Sequence, residues 1–144
     1  AYAGIPVTHR DINHAVTFLT GHNSSGLVPD AINWDAIGKG SPVIVMYMAM
    51  KHIAEISANL IAAGRSRQEP VAFVCNASTS AQQVLETTLG DAPAAALSSG
   101  IEPPAIVVVG EVVRLRGSLD WLGALAGRRL HPDPFRRSGS KETA

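Results

Sequence analysis

The 144-residue chain predicts an α/β layer sandwich built on a mixed sheet. Three observations carry that expectation. The runs Val43–Tyr47, Val71–Cys75 and Ala105–Val109 are apolar without alternation, as strands covered on both faces should be. Between the first two, Ile53, Ile56, Leu60 and Ile61 recur at helical spacing. A hydrophobic content of 46% against 17% charged residues is enough to fill one core of ordinary size.

Taken in order, Ala1–Gly4 reads as a helix end with Gly4 as its cap, and Pro6 prevents continuation. Because the chain opens in what reads as packed structure, we expect it to be the downstream part of a longer protein; a short domain with a processed initiator Met is the alternative. Ala15–Thr20 is a strand closed by Gly21, and 22–30 is a polar, turn-rich loop. Asn33 should cap a short helix that ends at Gly38 or Gly40. The long helix after Tyr47 should stop at Gly64, and Pro70 should precede the next strand. Gln82–Leu89 alternates as a strand does, with a helix as runner-up. Pro93–Ser99 reads as a helix ended by Gly100. The last strand should run through Ala105–Val109 and Glu111–Val113, with Gly110 inside it as a bulge or point of close approach. Leu119–Leu125 should form a short helix. The Arg-, Pro- and Ser-rich stretch 127–144 should be a poorly ordered tail.

Several function classes fall away. Twelve basic residues balance twelve acidic ones, so the diffuse positive field of a nucleic-acid binder is missing. No apolar run approaches the roughly 18 residues of a membrane span, and the first residues do not read as a signal peptide. Together with the single Cys75, this favours a cytoplasmic protein. The five histidines share no metal-ligand spacing, so no metal is expected. No Gly-x-Ser-x-Gly elbow or Gly-rich dinucleotide fingerprint is present.

Three positions draw interest by their place on the sheet. Met48 follows directly on one strand, Ala77 sits in the turn after another, and Ala105 opens the last strand behind Pro103-Pro104. Open α/β sheets bind ligands beyond the carboxyl ends of their strands. Small residues such as Ala49 and Ala77 let a flat ring approach the backbone there. An antiparallel last strand would bring Ala105 to that same edge. The competing reading, with Met48 as a core plug and the alanines as packing, stays open at this point. In Gly4–Arg10, a rigid Gly–Pro turn could present His9 and Arg10 to an anion, or the arginine could simply be solvated.

An ordered set of motifs adds to this reading: AYAGIPVTHR at 1–10, FLTGH at 18–22, Tyr47-Met48, the turn after Cys75, ETTLG at 86–90 and PAIVVVGEVV at 104–113. Together they resemble the tetrapyrrole methylases, and within them the uroporphyrinogen-III C-methyltransferases, from Ala1 to about Leu125. The resemblance implies the C-terminal lobe of a two-lobed fold whose cleft holds S-adenosylmethionine (S-adenosylhomocysteine as product), in a homodimer. It implies methyl transfer to C2 and C7 of uroporphyrinogen III, giving precorrin-2 for cobalamin and sirohaem synthesis. Residues 1–14 would then end the upstream lobe and link the lobes, 15–126 would form the C-terminal lobe, and 127–144 the tail. Met48, Ala77 and Ala105 match the family's cofactor contacts. Arg10 matches its arginine for substrate carboxylates, and Met48 would stand between cofactor and substrate. The family's Gly-Gly-Asp-Pro segment and candidate acid/base groups belong to the upstream lobe and have no counterpart here, so the catalytic groups stay unassigned. The chain alone should be inactive. A sister corrinoid methyltransferase of the same fold and a non-catalytic ligand-binding or dimerisation module are the alternatives.

Overall fold

Strands form where the apolar runs can be paired on both sides. In the computed structural model, which describes residues 1–136, five strands make one sheet in the order β1-β2-β5-β3-β4. These are β1 (Thr17–Thr20), β2 (Ile44–Tyr47), β3 (Pro70–Cys75), β4 (Gln83–Thr88) and β5 (Ala105–Val109). The pair β1–β2 is parallel, while β2–β5, β5–β3 and β3–β4 are antiparallel. All three unalternating runs therefore lie side by side at the centre. Every residue of β3 is buried, as expected of a strand with a layer on each face. Gln83–Thr88 is a strand at the sheet edge, which resolves the ambiguity of that segment.

Helices α1 (Trp34–Gly40), α2 (Ile53–Ala62) and α3 (Ala92–Ser98) cover the first face. Asn33 caps α1 by accepting from the Ala36 amide at 3.0 Å. Ile56 and Leu60 of α2 pack on Ile44, Met46, Phe73 and Val107, all fully buried. Full burial of each such side chain contributes about 1.5–3 kcal/mol, so Phe73→Ala would remove about 3–5 kcal/mol. The second face is covered by the chain start and by residues 111–115. Ala3, Ile5, Val112, Val113 and Leu115 pack there on Val45, Ala72, Val74 and Val108. Ala1–Gly4 is a turn, closed by the Gly4 amide donating to the Ala1 carbonyl at 2.9 Å, and not a helix end.

Two boundaries depart from the sequence expectation. Glu111–Val113 does not extend the last strand but belongs to a 3₁₀ turn, Glu111–Leu115. Val109 is already opposite Ile44 and Val71 near the starts of β2 and β3, so a longer β5 would run out of partners. Gly110 makes the exit at φ +141°, and a Cβ there would lie 2.9 Å from the Pro42 carbonyl oxygen. Close approach is the correct half of the earlier reading, and strand continuation the wrong one. The expected helix Leu119–Leu125 is broken into α4 (Arg116–Leu119) and α5 (Trp121–Leu125). Asp120 leaves the helical region to cap α5, accepting from the Gly123 amide at 3.1 Å.

Residues 127–136 carry no regular element, yet Arg128 donates to Asp120 at 2.8 Å and Phe135 packs on the second-face core. The remainder of the expected tail, 137–144, lies outside the described residues. No described helix is long and apolar enough to cross a membrane.

Candidate functional site

Since β1 and β2 are parallel and β5 is antiparallel to β2 and β3, one edge of the sheet collects the ends of β1, β2 and β3 and the start of β5. Met48, Ala77 and Ala105 all meet there. They line one cavity of about 650 Å³, whose wall also includes His22, Tyr47, Met50, Lys51, Asn76 and Pro103.

The backbone at this edge is held in unusual conformations. Met48 has φ +54° and Asn76 has φ +48°, a region that costs a non-glycine residue roughly 1–2 kcal/mol. Among the described residues, neither Met48 nor Ala77 hydrogen-bonds to another through its backbone. Unpartnered backbone donors and acceptors on the wall of an apolar cavity are suited to the edge of a flat heterocycle. Ala105 faces Cys75 on one side, while the ladder with β2 begins only at Ile106 opposite Tyr47. Met48 itself is 54% exposed and so is not a core plug.

Close packing behind the wall fixes its loops. The Gly21 amide donates to the Tyr47 carbonyl at 2.7 Å. A Cβ on Gly21 would sit 2.7 Å from the Met48 carbonyl oxygen and run into Ala49, so only glycine allows β1 to end against this loop. Behind the cavity, burial pushes the Cys75 thiol above its ordinary pKa and keeps it neutral.

Arg10 is not brought to the cavity. It lies exposed on the turn closed between His9 and Asn13, where its carbonyl pairs with His14 Nε2 at 2.8 Å. The site residues that sequence reasoning missed are His22, Asn76 and Lys51. His22 lies two residues beyond β1, one past the Gly21 that follows β1 as Met48 follows β2; what was missing was the parallel pairing that aligns the two strand ends. No group of three or more His, Cys, Asp or Glu among the described residues could hold a metal ion.

Fold and cleft together define an open α/β lobe with a cavity at the carboxyl edge of its sheet, where open α/β sheets bind ligands. The chain belongs to the Tetrapyrrole (Corrin/Porphyrin) Methylases, whose family model matches residues 1–93. It is 75% identical over 135 residues to a uroporphyrinogen-III C-methyltransferase of Sinorhizobium sp., covering 94% of this chain and 48% of that protein. It is 42% identical to a siroheme synthase of Sodalis glossinidius over 85% of this chain and 25% of the relative. The chain thus spans half or less of the length of these curated relatives. Among solved structures, the Thermus thermophilus uroporphyrin-III C-methyl transferase complexed with S-adenyl homocysteine matches with a TM-score of 0.69 and 29% identity. That match covers 79% of this chain and 49% of the Thermus chain. The cobalt precorrin-4 methyltransferase, at 20% identity and a TM-score of 0.67, shares the fold.

Proposed function

We propose that this chain is the C-terminal lobe of an S-adenosylmethionine-dependent uroporphyrinogen-III C-methyltransferase, which methylates C2 and C7 to give precorrin-2 for cobalamin and sirohaem synthesis. The observation that carries the reading is the convergence of Met48, Ala77 and Ala105 on one cavity. The names of the Sinorhizobium and Thermus relatives support the reaction and the cofactor. A second α/β lobe across the cleft, a homodimer and a cytoplasmic location belong to the same reading.

The residues present fit the cofactor. Backbone groups of Met48 and Ala77, unpartnered among the described residues, are available to the adenine edge, and the side chains of Ala77 and Ala105 admit its ring. When bound, S-adenosylmethionine supplies a methyl group already activated by its sulfonium. The protein's task is then alignment, which can contribute up to about 7–11 kcal/mol. Among the described residues the cavity wall brings no Asp or Glu to the cofactor, and in this reading the exposed Met48 side chain lies between cofactor and substrate. Arg10, outside the cavity, binds carboxylates of a substrate broad enough to extend beyond the cleft.

The intact protein, incubated with uroporphyrinogen III and methyl-labelled S-adenosylmethionine, should yield a product with two new methyl groups, at C2 and C7. Methylation of another tetrapyrrole only would transfer the reading to a sister enzyme. Cofactor binding with no methyl transfer to any tetrapyrrole would leave a binding module. Within this reading, Arg10→Ala should raise the KM for the tetrapyrrole and leave S-adenosylhomocysteine affinity unchanged. An equal loss of cofactor affinity would make Arg10 a folding residue.

A further inference from the structure

The wall of the cleft is apolar apart from a few groups, and Lys51 carries the single formal charge on it. Its position is well defined at the backbone. Lys51 lies in the 3₁₀ turn Met50–His52 that leads from β2 into α2. The His52 amide donates to the Ala49 carbonyl at 3.1 Å, and His52 Nε2 pairs with the Gly26 carbonyl at 2.8 Å. Met50, on its other side, packs on the first-face core.

Five other cations have carboxylate partners, while Arg10, Arg67 and Arg129 have none among the described residues and line no part of this cavity. Lys39 reaches Asp35 at 2.7 Å, Arg114 reaches Glu111 at 2.7 Å and Arg116 reaches Asp120 at 2.8 Å. Lys51 has none among the described residues, although Glu55 follows it at the i+4 spacing that favours a helical ion pair. An ammonium with three donors, on a flexible stem at the mouth of an apolar cavity, is a receptor for an anionic group. No carboxylate lines the cavity to meet it from the protein side.

We propose that Lys51 is the carboxylate anchor of the cleft. The inference rests on the methyltransferase reading, in which both occupants carry carboxylates: the amino-acid end of the cofactor and the side chains of the tetrapyrrole. Lys51 takes one of these and sets the orientation of that occupant along the sheet edge. It acts as a binding and positioning residue, because its charge complements the ligand without taking part in methyl transfer.

The test uses the intact protein with Lys51→Met, which keeps the stem and removes the charge, and Lys51→Arg, which keeps the charge. Calorimetry gives the Kd for S-adenosylhomocysteine and for 5′-methylthioadenosine, a thioether nucleoside without the amino-acid carboxylate. Steady-state kinetics gives the KM for uroporphyrinogen III. A charge-assisted hydrogen bond of ordinary strength corresponds to roughly tenfold or more in affinity. If the cofactor supplies the carboxylate, Lys51→Met weakens S-adenosylhomocysteine about tenfold and leaves methylthioadenosine unchanged. If the tetrapyrrole supplies it, KM rises about tenfold and both nucleosides bind as before. In either case Lys51→Arg recovers most of the loss. Unchanged Kd and KM in Lys51→Met overturn the proposal, as does equal weakening of both nucleosides. Failure of the unsubstituted protein to bind either nucleoside overturns the methyltransferase reading itself, and the anchor with it.

Discussion

A hollow lies at each end of the central strands, and the two treat their polar groups in opposite ways. Where β2 and β3 begin, Lys39, Ser41, Arg65, Glu69, Glu111 and Arg114 line a cavity of about 740 Å³, larger than the 650 Å³ cleft at the other edge. Its charges are already matched. Arg65, whose side chain is only 8% exposed, pairs with Glu69 and donates to the Gly38 and Ser41 carbonyls at 3.1 and 2.6 Å. Those bonds tie the ends of α1 and α2 to the start of β3. At the carboxyl edge, among the described residues, Met48 and Ala77 keep unpartnered backbone groups and Lys51 keeps an unpaired charge. Volume therefore does not single out a binding site. Under the proposed function the site is the hollow whose polar groups the fold leaves unsatisfied.

The largest test of that contrast is at the satisfied edge. Arg65→Met should strand the Glu69 carboxylate and two carbonyls, and cost about 3–5 kcal/mol of stability in denaturant unfolding. The affinity for S-adenosylhomocysteine, measured under conditions where the variant stays folded, should not change. A fall in that affinity with stability intact would make the opposite edge a ligand site and collapse the contrast.

How far the sequence discloses the two edges follows from what each depends on. The central strands were legible because Val43–Tyr47, Val71–Cys75 and Ala105–Val109 must be covered on both faces. Their order was not, since β5 enters between β2 and β3 through pairings distant in sequence. The same cause explains the misplaced end of β5: Val112 and Val113 suit a strand by composition, but strand length is set by partners. That Met48, Ala77 and Ala105 meet at one edge could be anticipated because each adjoins a recognisable strand end. Lys51 could not, because it lies in what reads as the first turn of a helix, and its relation to the cavity emerges only once β2 is aligned with β3. The ion pairs of the opposite edge depend on side-chain geometry that no spacing reveals, apart from the i+4 pair of Arg65 and Glu69.

A smaller, pH-dependent effect belongs to the ion-pair cluster around Asp120. Burial works against the charged form of Asp120. The Gly123 amide, the Arg128 hydrogen bond and the charges of Arg116 and Arg128 outweigh it and hold its carboxyl below the usual range. A pKa lowered by folding stabilises the protein above the unfolded-state value of about 3.9, and that stabilisation is lost as pH falls through the folded value. Unfolding free energy should therefore decline below about pH 4, and the decline should be shallower in Asp120→Asn. The cleft, with no carboxylate on its wall, adds nothing to this limb. An unchanged acid slope in Asp120→Asn would mean that the cluster is not what acid disrupts.

The smallest expected effect on stability is at Met48, and it separates the two edges most cleanly. A methionine sealed in the core would cost about 2–5 kcal/mol when cut back to alanine, because a cavity would remain. Met48 is 54% exposed and its backbone is left-handed at φ +54°. Met48→Ala should thus cost under about 1 kcal/mol, since little buried surface is lost. Met48→Gly should be neutral or slightly stabilising: relief of roughly 1–2 kcal/mol of backbone strain is set against the greater freedom of glycine in the unfolded chain. Binding should move the other way. Both variants should weaken S-adenosylhomocysteine in calorimetric titration, and Met48→Gly the more, because the strained residue is what holds the loop in its binding conformation. Denaturant unfolding without ligand supplies the other half of the comparison. A loss of several kcal/mol with unchanged affinity would return Met48 to the core. Ala77 would lose its support with it, because both are assigned to the same edge of the same sheet.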